Sequence, residues 1–200
     1  EYLIENVLSD CSRRSEVYEC ITKCRLFVGT VASIANKPEL FNLKTFDVAI
    51  VDEATQILEP QLLGILCAKN RKGENALGKF ILIGDHKQLP AVVLQNEEQS
   101  RVVDEQLNSI GLTNLRDSLF ERLYRLHINK LSGDNGSWAI DMLCKQGRMN
   151  PEVAFFPNHA FYSGKLEPVG LPHQQGELFV PERYASGDLA RLMSKRMVFI

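Results

Sequence analysis

The sequence has no surplus of positive charge: 23 lysines and arginines stand against 25 aspartates and glutamates, a formal net charge of −2. A globally positive field of the kind that draws proteins to nucleic acid or anionic membranes is excluded, so any such binding must be local. Long apolar runs are missing as well, and none approaches the ~20 residues of a membrane span. Behind Glu1 comes a mixed polar stretch rather than the apolar centre of a secretory signal. The expectation is an intracellular protein without a membrane partner, its compartment left open. A start at Glu rather than Met leads to the further expectation that this is a piece of a longer polypeptide.

An even cysteine set is also lacking. Five cysteines (Cys11, Cys20, Cys24, Cys67, Cys144) without an export signal favour reduced thiols over a disulfide framework. Cys20 and Cys24 would share a helix face with Cys11 nearby, which admits a metal or iron–sulfur site, but the second ligand cluster such a site needs is absent. Repeats and low-complexity segments are not found. What is present is ordinary globular usage, 44% hydrophobic and 24% charged over 200 residues. That is enough chain for one large domain, or for one domain plus part of another.

Residues 1 to 24 carry helical spacing and dense charge and read as surface helices. Three segments then change the pattern: RLFVGTVA (25–32), FDVAIVDEA (46–54) and KFILIGDHKQLP (79–90). Each holds a short, nearly continuous apolar run ending in Gly, Asp or Pro, as strands buried on both faces do. ILEPQLLGILCAKN (57–70) has helical spacing, so the order strand, helix, strand predicts a parallel pair joined by a crossover. Residues 95–126 read as outer helices with Leu115, Leu119 and Leu123 on one face and Phe120 beside them. SGDNGS (132–137) is a break, and 138–149 is a further candidate strand. A short helix broken by Pro157 follows, then a Gly/Pro-rich stretch (164–176), and RMVFI (196–200) reads as a closing strand.

In AIVDEATQ (49–56) an apolar strand runs into two adjacent carboxylates. In nucleotide hydrolases such a pair holds Mg²⁺ through the Asp and polarises the attacking water through the Glu. Taken alone, the pair reads equally as the acidic start of a helix. FILIGDHKQLP (80–90) repeats the arrangement 33 residues later, counted from Asp52 to Asp85. Two neighbouring strand tips would then deliver Asp52, Glu53, Asp85 and Gln88 to one sheet edge, where open α/β folds bind ligands.

VDEATQ followed by GDHKQLP, SLFERL (118–123) and QGRMNPEVAFFPNHAFYSGKL (146–166) resembles superfamily 1 helicases of the nonsense-mediated-decay type. The resemblance covers about residues 25–166 plus the closing strand and implies an α/β fold: an incomplete RecA-like P-loop NTPase parallel sheet with flanking helices, plus the start of a second RecA-like domain. The expected division is 1–146 and 147–200. The implied activity is that of an ATP-driven helicase or translocase on RNA or DNA, with ATP and Mg²⁺ as cofactors. Asp52 would hold Mg²⁺, in part through water, and Glu53 would be the general base. Gln88 and Gln56 would sense the γ-phosphate or its water, with Asp85 beside the nucleotide. Arg148, from across the domain cleft, would stabilise transition-state charge.

FVGTVASI (27–34) resembles the family's strand that meets the nucleic-acid backbone, which makes Thr30 and Ser33 candidate phosphate contacts. A hydroxyl satisfying nearby backbone is the competing reading. Phe155, Phe156, Phe161 and Tyr162 read as domain core in preference to a base-stacking platform.

Two departures from the family stand out. Gly73, Gly78 and Lys79 mimic a phosphate-binding G-x4-G-K, but Phe80 occupies the hydroxyl position and the segment enters a strand. The true phosphate loop is expected upstream of Glu1. Gly147 replaces an aromatic residue that stacks on the nucleotide base in relatives, and Asn150 replaces a His. A non-catalytic nucleic-acid-binding scaffold is the alternative from another class. A metal-dependent hydrolase using Asp52, Glu53 and Asp85 would leave Gln88 and Arg148 without a task.

Overall fold

The structure, a computed structural model, describes residues 14–130, 139–176 and 187–196. Most of the expected N-terminal helical segment, the break at 132–137 and all but the first residue of the closing RMVFI strand lie outside these residues. The chain divides into two compact units, Glu1–Gly136 and Ser137–Ile200.

In the first unit, helix α1 (Arg14–Lys23), helix α2 (Val31–Ala35) and helix α3 (Glu39–Leu43) precede strand β1 (Phe46–Val51). Helix α4 (Glu59–Leu66) follows, then strand β2 (Leu77–Leu82). The two strands pair in parallel, with Ala49 opposite Phe80 and Val51 opposite Leu82. The expected strand, helix, strand unit is therefore present. Pro60 in the first turn of α4 is preset for a helix start, and the Gln61 side chain accepts the Leu58 amide at 3.1 Å. Phe41, Ile65, Ala76 and Leu77 form the buried core, with Val31, Ile34, Phe46 and Ala49 against it.

The expectation for residues 25–32 is corrected. They form no strand: residues 24–30 have no regular structure and α2 begins at Val31. Thr30 takes the N-cap position, its side chain accepting the Ser33 amide at 3.1 Å, and a cap of this kind competes locally with extension. Phe27 packs edge-on to Phe46, centroids 5.3 Å apart, while Val28 is exposed. The paired strands are also not buried on both faces. Val48, Ile50, Ile81 and Ile83 share one face by strand alternation and are exposed, because among the described residues two strands pair in this sheet.

Beyond β2 come helix α5 (Glu97–Ser100), helix α6 (Glu105–Ser109) and helix α7 (Leu119–Lys130). Leu119 is buried but Leu115 precedes the helix and is exposed, so the predicted leucine face is shorter than its spacing suggests. Ser118 sets the boundary. Its hydroxyl accepts the Glu121 amide and donates to the Glu121 carboxylate, both at 3.1 Å.

The second unit holds strand β3 (Lys145–Gln146), helix α8 (Pro151–Tyr162), strand β4 (Glu167–Pro168), helix α9 (Pro172–Gln175) and helix α10 (Gly187–Met193). The candidate strand at 138–149 contracts to β3, whose ladder is limited by the two residues of parallel β4. Helix α8 continues through Pro157, which was expected to break it. A proline there removes one bond and costs about 3 kcal/mol. Two devices hold the helix on either side. Asn150 caps its start, accepting the Glu152 amide at 2.9 Å, and Asn158 bonds both the amide and the carbonyl of Leu166 at 2.9 Å. Phe155, Phe156 and Phe161 are exposed in this unit rather than in its core.

Candidate active site

Two loops at the C-terminal ends of the parallel strands build the site in the first unit. Beyond β1 and β2 the pairing continues: the Ile83 amide donates to the Val51 carbonyl and the Ala54 amide to the Ile83 carbonyl, each at 2.8 Å. The two tips are thereby locked side by side. Ala54 and Thr55 are buried beneath the loops, and Gly84 lies against Thr55 so closely that a Cβ there would sit 2.9 Å from the threonine methyl. Glycine is required at that crossing, since any side chain would part the tips.

Asp52 and Glu53 leave β1 at this edge, both exposed. Glu53 has φ 51° and ψ 37°, the left-handed region that few residues with a Cβ adopt. Strain of this kind, about 1 to 3 kcal/mol, gathers at functional positions. The turn ends the strand at once and starts a 3-10 turn (Ala54–Gln56), so the Glu53 carboxylate stands at the sheet edge. Asp52 Oδ1 accepts the Glu53 amide at 3.0 Å, and Gln56 Nε2 donates to Glu53 Oε2 at 3.3 Å.

On the second tip, the carboxylate of Asp85 organises its own loop. Its Oδ1 accepts the Lys87 amide at 3.0 Å, and its Oδ2 accepts Gln88 Nε2 at 2.8 Å. The Gln88 side chain is thus anchored through its amide nitrogen to Asp85. Asp52, Glu53 and Gln56 share one tip, and Asp85 and Gln88 share the other. Thr30 and Ser33 belong to a different element, the start of α2, where the Thr30 oxygen is engaged in capping. Arg148 lies in the second unit, exposed, lining an open cleft of about 680 Å³ with Asn150, Val153, His173 and Lys195.

A divalent cation fits the first tip in one manner. Among the described residues no group of three or more His, Cys, Asp or Glu side chains converges. The described residues alone offer no cage. A single exposed carboxylate with one oxygen already bonded suits Mg²⁺, which keeps several waters and shares its remaining ligands with phosphate. The G-x4-G-K mimic is no cradle: Gly78 and Lys79 belong to β2, and a Cβ at Gly78 would stand 2.8 Å from the Asp47 carbonyl.

Two contacts that support this edge were not read from the sequence. Glu59 at the start of α4 pairs with Arg122 of α7: Nε to Oε2 is 2.7 Å and Nη2 to Oε1 is 2.5 Å. Both side chains are nearly buried, and Arg122 also donates to the Ile110 carbonyl at 2.9 Å. A bidentate pair of this kind fixes α7 beside the loops. His86 packs against Tyr124 of the same helix, ring centroids 4.3 Å apart and the planes tilted by 35°. Desolvation, then the neighbouring Lys87 charge, lowers the His86 pKa, against opposing contributions from Asp85 and Glu121. The SLFERL segment signalled α7, but pairing across 63 residues leaves no local trace.

Comparison with known proteins bears on this edge. Residues 5–96 match the family model described as an AAA domain. Over 143 residues, 72% of this chain, the sequence is 36% identical to the DNA replication ATP-dependent helicase/nuclease DNA2 of Bos taurus. It is 32% identical over 125 residues, 62% of the chain, to the DNA polymerase alpha-associated DNA helicase A of Saccharomyces cerevisiae. It is 34% identical over 122 residues, 61% of the chain, to the probable helicase MAGATAMA 3 of Arabidopsis thaliana. The chain spans 11%, 15% and 11% of those three proteins. No helix among the described residues is long and apolar enough to cross a membrane. Over most of its length, then, this chain is similar to part of ATP-dependent helicases, and the paired strand tips lie within the matched stretch.

Proposed function

We propose that the protein containing this chain is a nucleic-acid-dependent ATPase that translocates on or unwinds RNA or DNA, of the nonsense-mediated-decay type, with two RecA-like domains. The observation that carries the reading is the pair of locked strand tips, which sets Asp52 and Glu53 beside the Asp85–Gln88 loop. Asp52 would hold Mg²⁺, which when bound would supply charge neutralisation for phosphoryl transfer. Glu53 accepts a proton from the attacking water. Gln56 donates to Glu53 and orients its carboxylate. Gln88 exchanges its bond to Asp85 for one to the γ-phosphate or its water. Arg148 adds charge to the phosphoryl group, and Thr30 and Ser33 contact the nucleic-acid backbone. The domains are taken to run 1–146 and 147–200.

The reading predicts no ATP turnover by the purified 200-residue chain, which has no cradle for the phosphates within its described strands and loops. The intact protein should hydrolyse ATP in a manner stimulated by single-stranded RNA or DNA. Turnover that single strands leave unchanged, with tight nucleic-acid binding, would favour a scaffold instead.

A further inference from the structure

The side chain of Gln174 belongs to none of the motifs in the sequence, yet it is 2% exposed. Its amide nitrogen donates to the carbonyls of Gln146 and Met149, each at 3.0 Å, and its amide oxygen accepts the Leu171 amide at 3.0 Å. These two carbonyls bracket Arg148. The surrounding bonds converge on the same turn. Gln146 closes it from within, donating to the Met149 carbonyl at 2.9 Å and accepting the Met149 amide at 2.8 Å. Asn150 donates to the Gln174 carbonyl at 2.7 Å, and a His173 ring nitrogen lies 2.7 Å from the Gly147 carbonyl.

We infer that Gln174 is a positioning residue for Arg148: the buried amide fixes the 146–150 turn so that the guanidinium leaves it in one direction. The inference rests on the proposed role of Arg148 in ATP hydrolysis. A buried amide whose three partners are all backbone groups of two neighbouring turns has a clear mechanical task. Losing it takes one of two donors from each carbonyl, leaving Gln146 with the Val169 amide and Met149 with the Gln146 side chain, and unties the turn from α9 so that it is free to shift. A displacement near 1 Å at a charged group that acts in the transition state is enough to cost up to ~10²-fold in rate.

The test uses the intact protein. Gln174→Met keeps the volume and removes every side-chain hydrogen bond. Gln174→Glu keeps the acceptor for Leu171 but has no donor for the two carbonyls. Both should lower kcat by about 10- to 100-fold, with KM for ATP changed little. In the Arg148→Ala background neither should lower kcat further, since a residue acting through Arg148 has nothing left to position. Backbone amide exchange at 146–150 should quicken in both variants while α8 stays protected. Losses that multiply with those of Arg148→Ala, or unchanged exchange at 146–150, would overturn the inference. Should Arg148→Ala itself hydrolyse ATP at the unaltered rate, the role of Arg148 fails. The exchange measurement then decides whether Gln174 holds the turn.

Discussion

His86 follows the aspartate that holds Gln88, and its ring lies on Tyr124. Around it stand Asp85 and Lys87 on its own loop and Glu121 and Tyr124 on α7, and the balance lowers its pKa below the ordinary 6.5, desolvation contributing most. The folded state therefore prefers the neutral ring. As pH falls through 6.5 the unfolded chain takes up the proton first, so the contribution of His86 is full above that value and is lost progressively below it. His86→Phe keeps an aromatic ring against Tyr124 and removes the titrating group. Its Tm should fall less than that of the unsubstituted protein between about pH 7.5 and about pH 5.5. Equal losses in the two proteins would show that burial of this ring does not couple to the fold. Gly147 is a second position where one atom matters. A Cβ there would lie 3.2 Å from Leu171 Cδ1, so an aromatic residue requires a small shift of that leucine.

At the scale of elements, α7 is held by a charge pair that is nearly dry. Breaking such a pair from one side strands a buried charge and costs about 3 to 5 kcal/mol, whereas apolar replacement of both partners is close to neutral. Arg122→Met should lower unfolding stability by about that amount, and Glu59→Met combined with Arg122→Met should recover most of it. Urea denaturation of the three chains measures this. A double variant as unstable as the single one would mean that the pair contributes more than the avoidance of an isolated charge. The elements differ in how far the sequence disclosed them. Strands β1 and β2 and helix α4 were readable because apolar runs and helical spacing alternate within 40 residues. The segment 25–32 misled, because its apolar content resembles a strand while Thr30 spends its hydroxyl on a helix cap. Pro157 misled in the other direction, since the side-chain amide of Asn158 secures the last turns of α8 from outside the helix.

For the molecule as a whole, the candidate site was legible at the strand tips and illegible in what supports them. Carboxylates directly after an apolar run advertise themselves. Glu59 with Arg122, His86 with Tyr124, and Gln174 with the Gln146 and Met149 carbonyls are each made by the fold from residues distant in sequence. The exposed face carrying Val48, Ile50, Ile81 and Ile83 belongs to the same scale. A parallel sheet in the interior of an α/β domain has such a face covered, whereas among the described residues this one is open. The central claim is that the two tips form a water-activating edge with Glu53 as its base. Single-turnover cleavage of ATP by the intact protein on single-stranded nucleic acid, with and without Glu53→Gln, tests it most directly. The account predicts that the variant binds ATP normally but cleaves it at least ~10²-fold more slowly. Cleavage by Glu53→Gln at the unsubstituted rate, with ATP bound equally well, would contradict it.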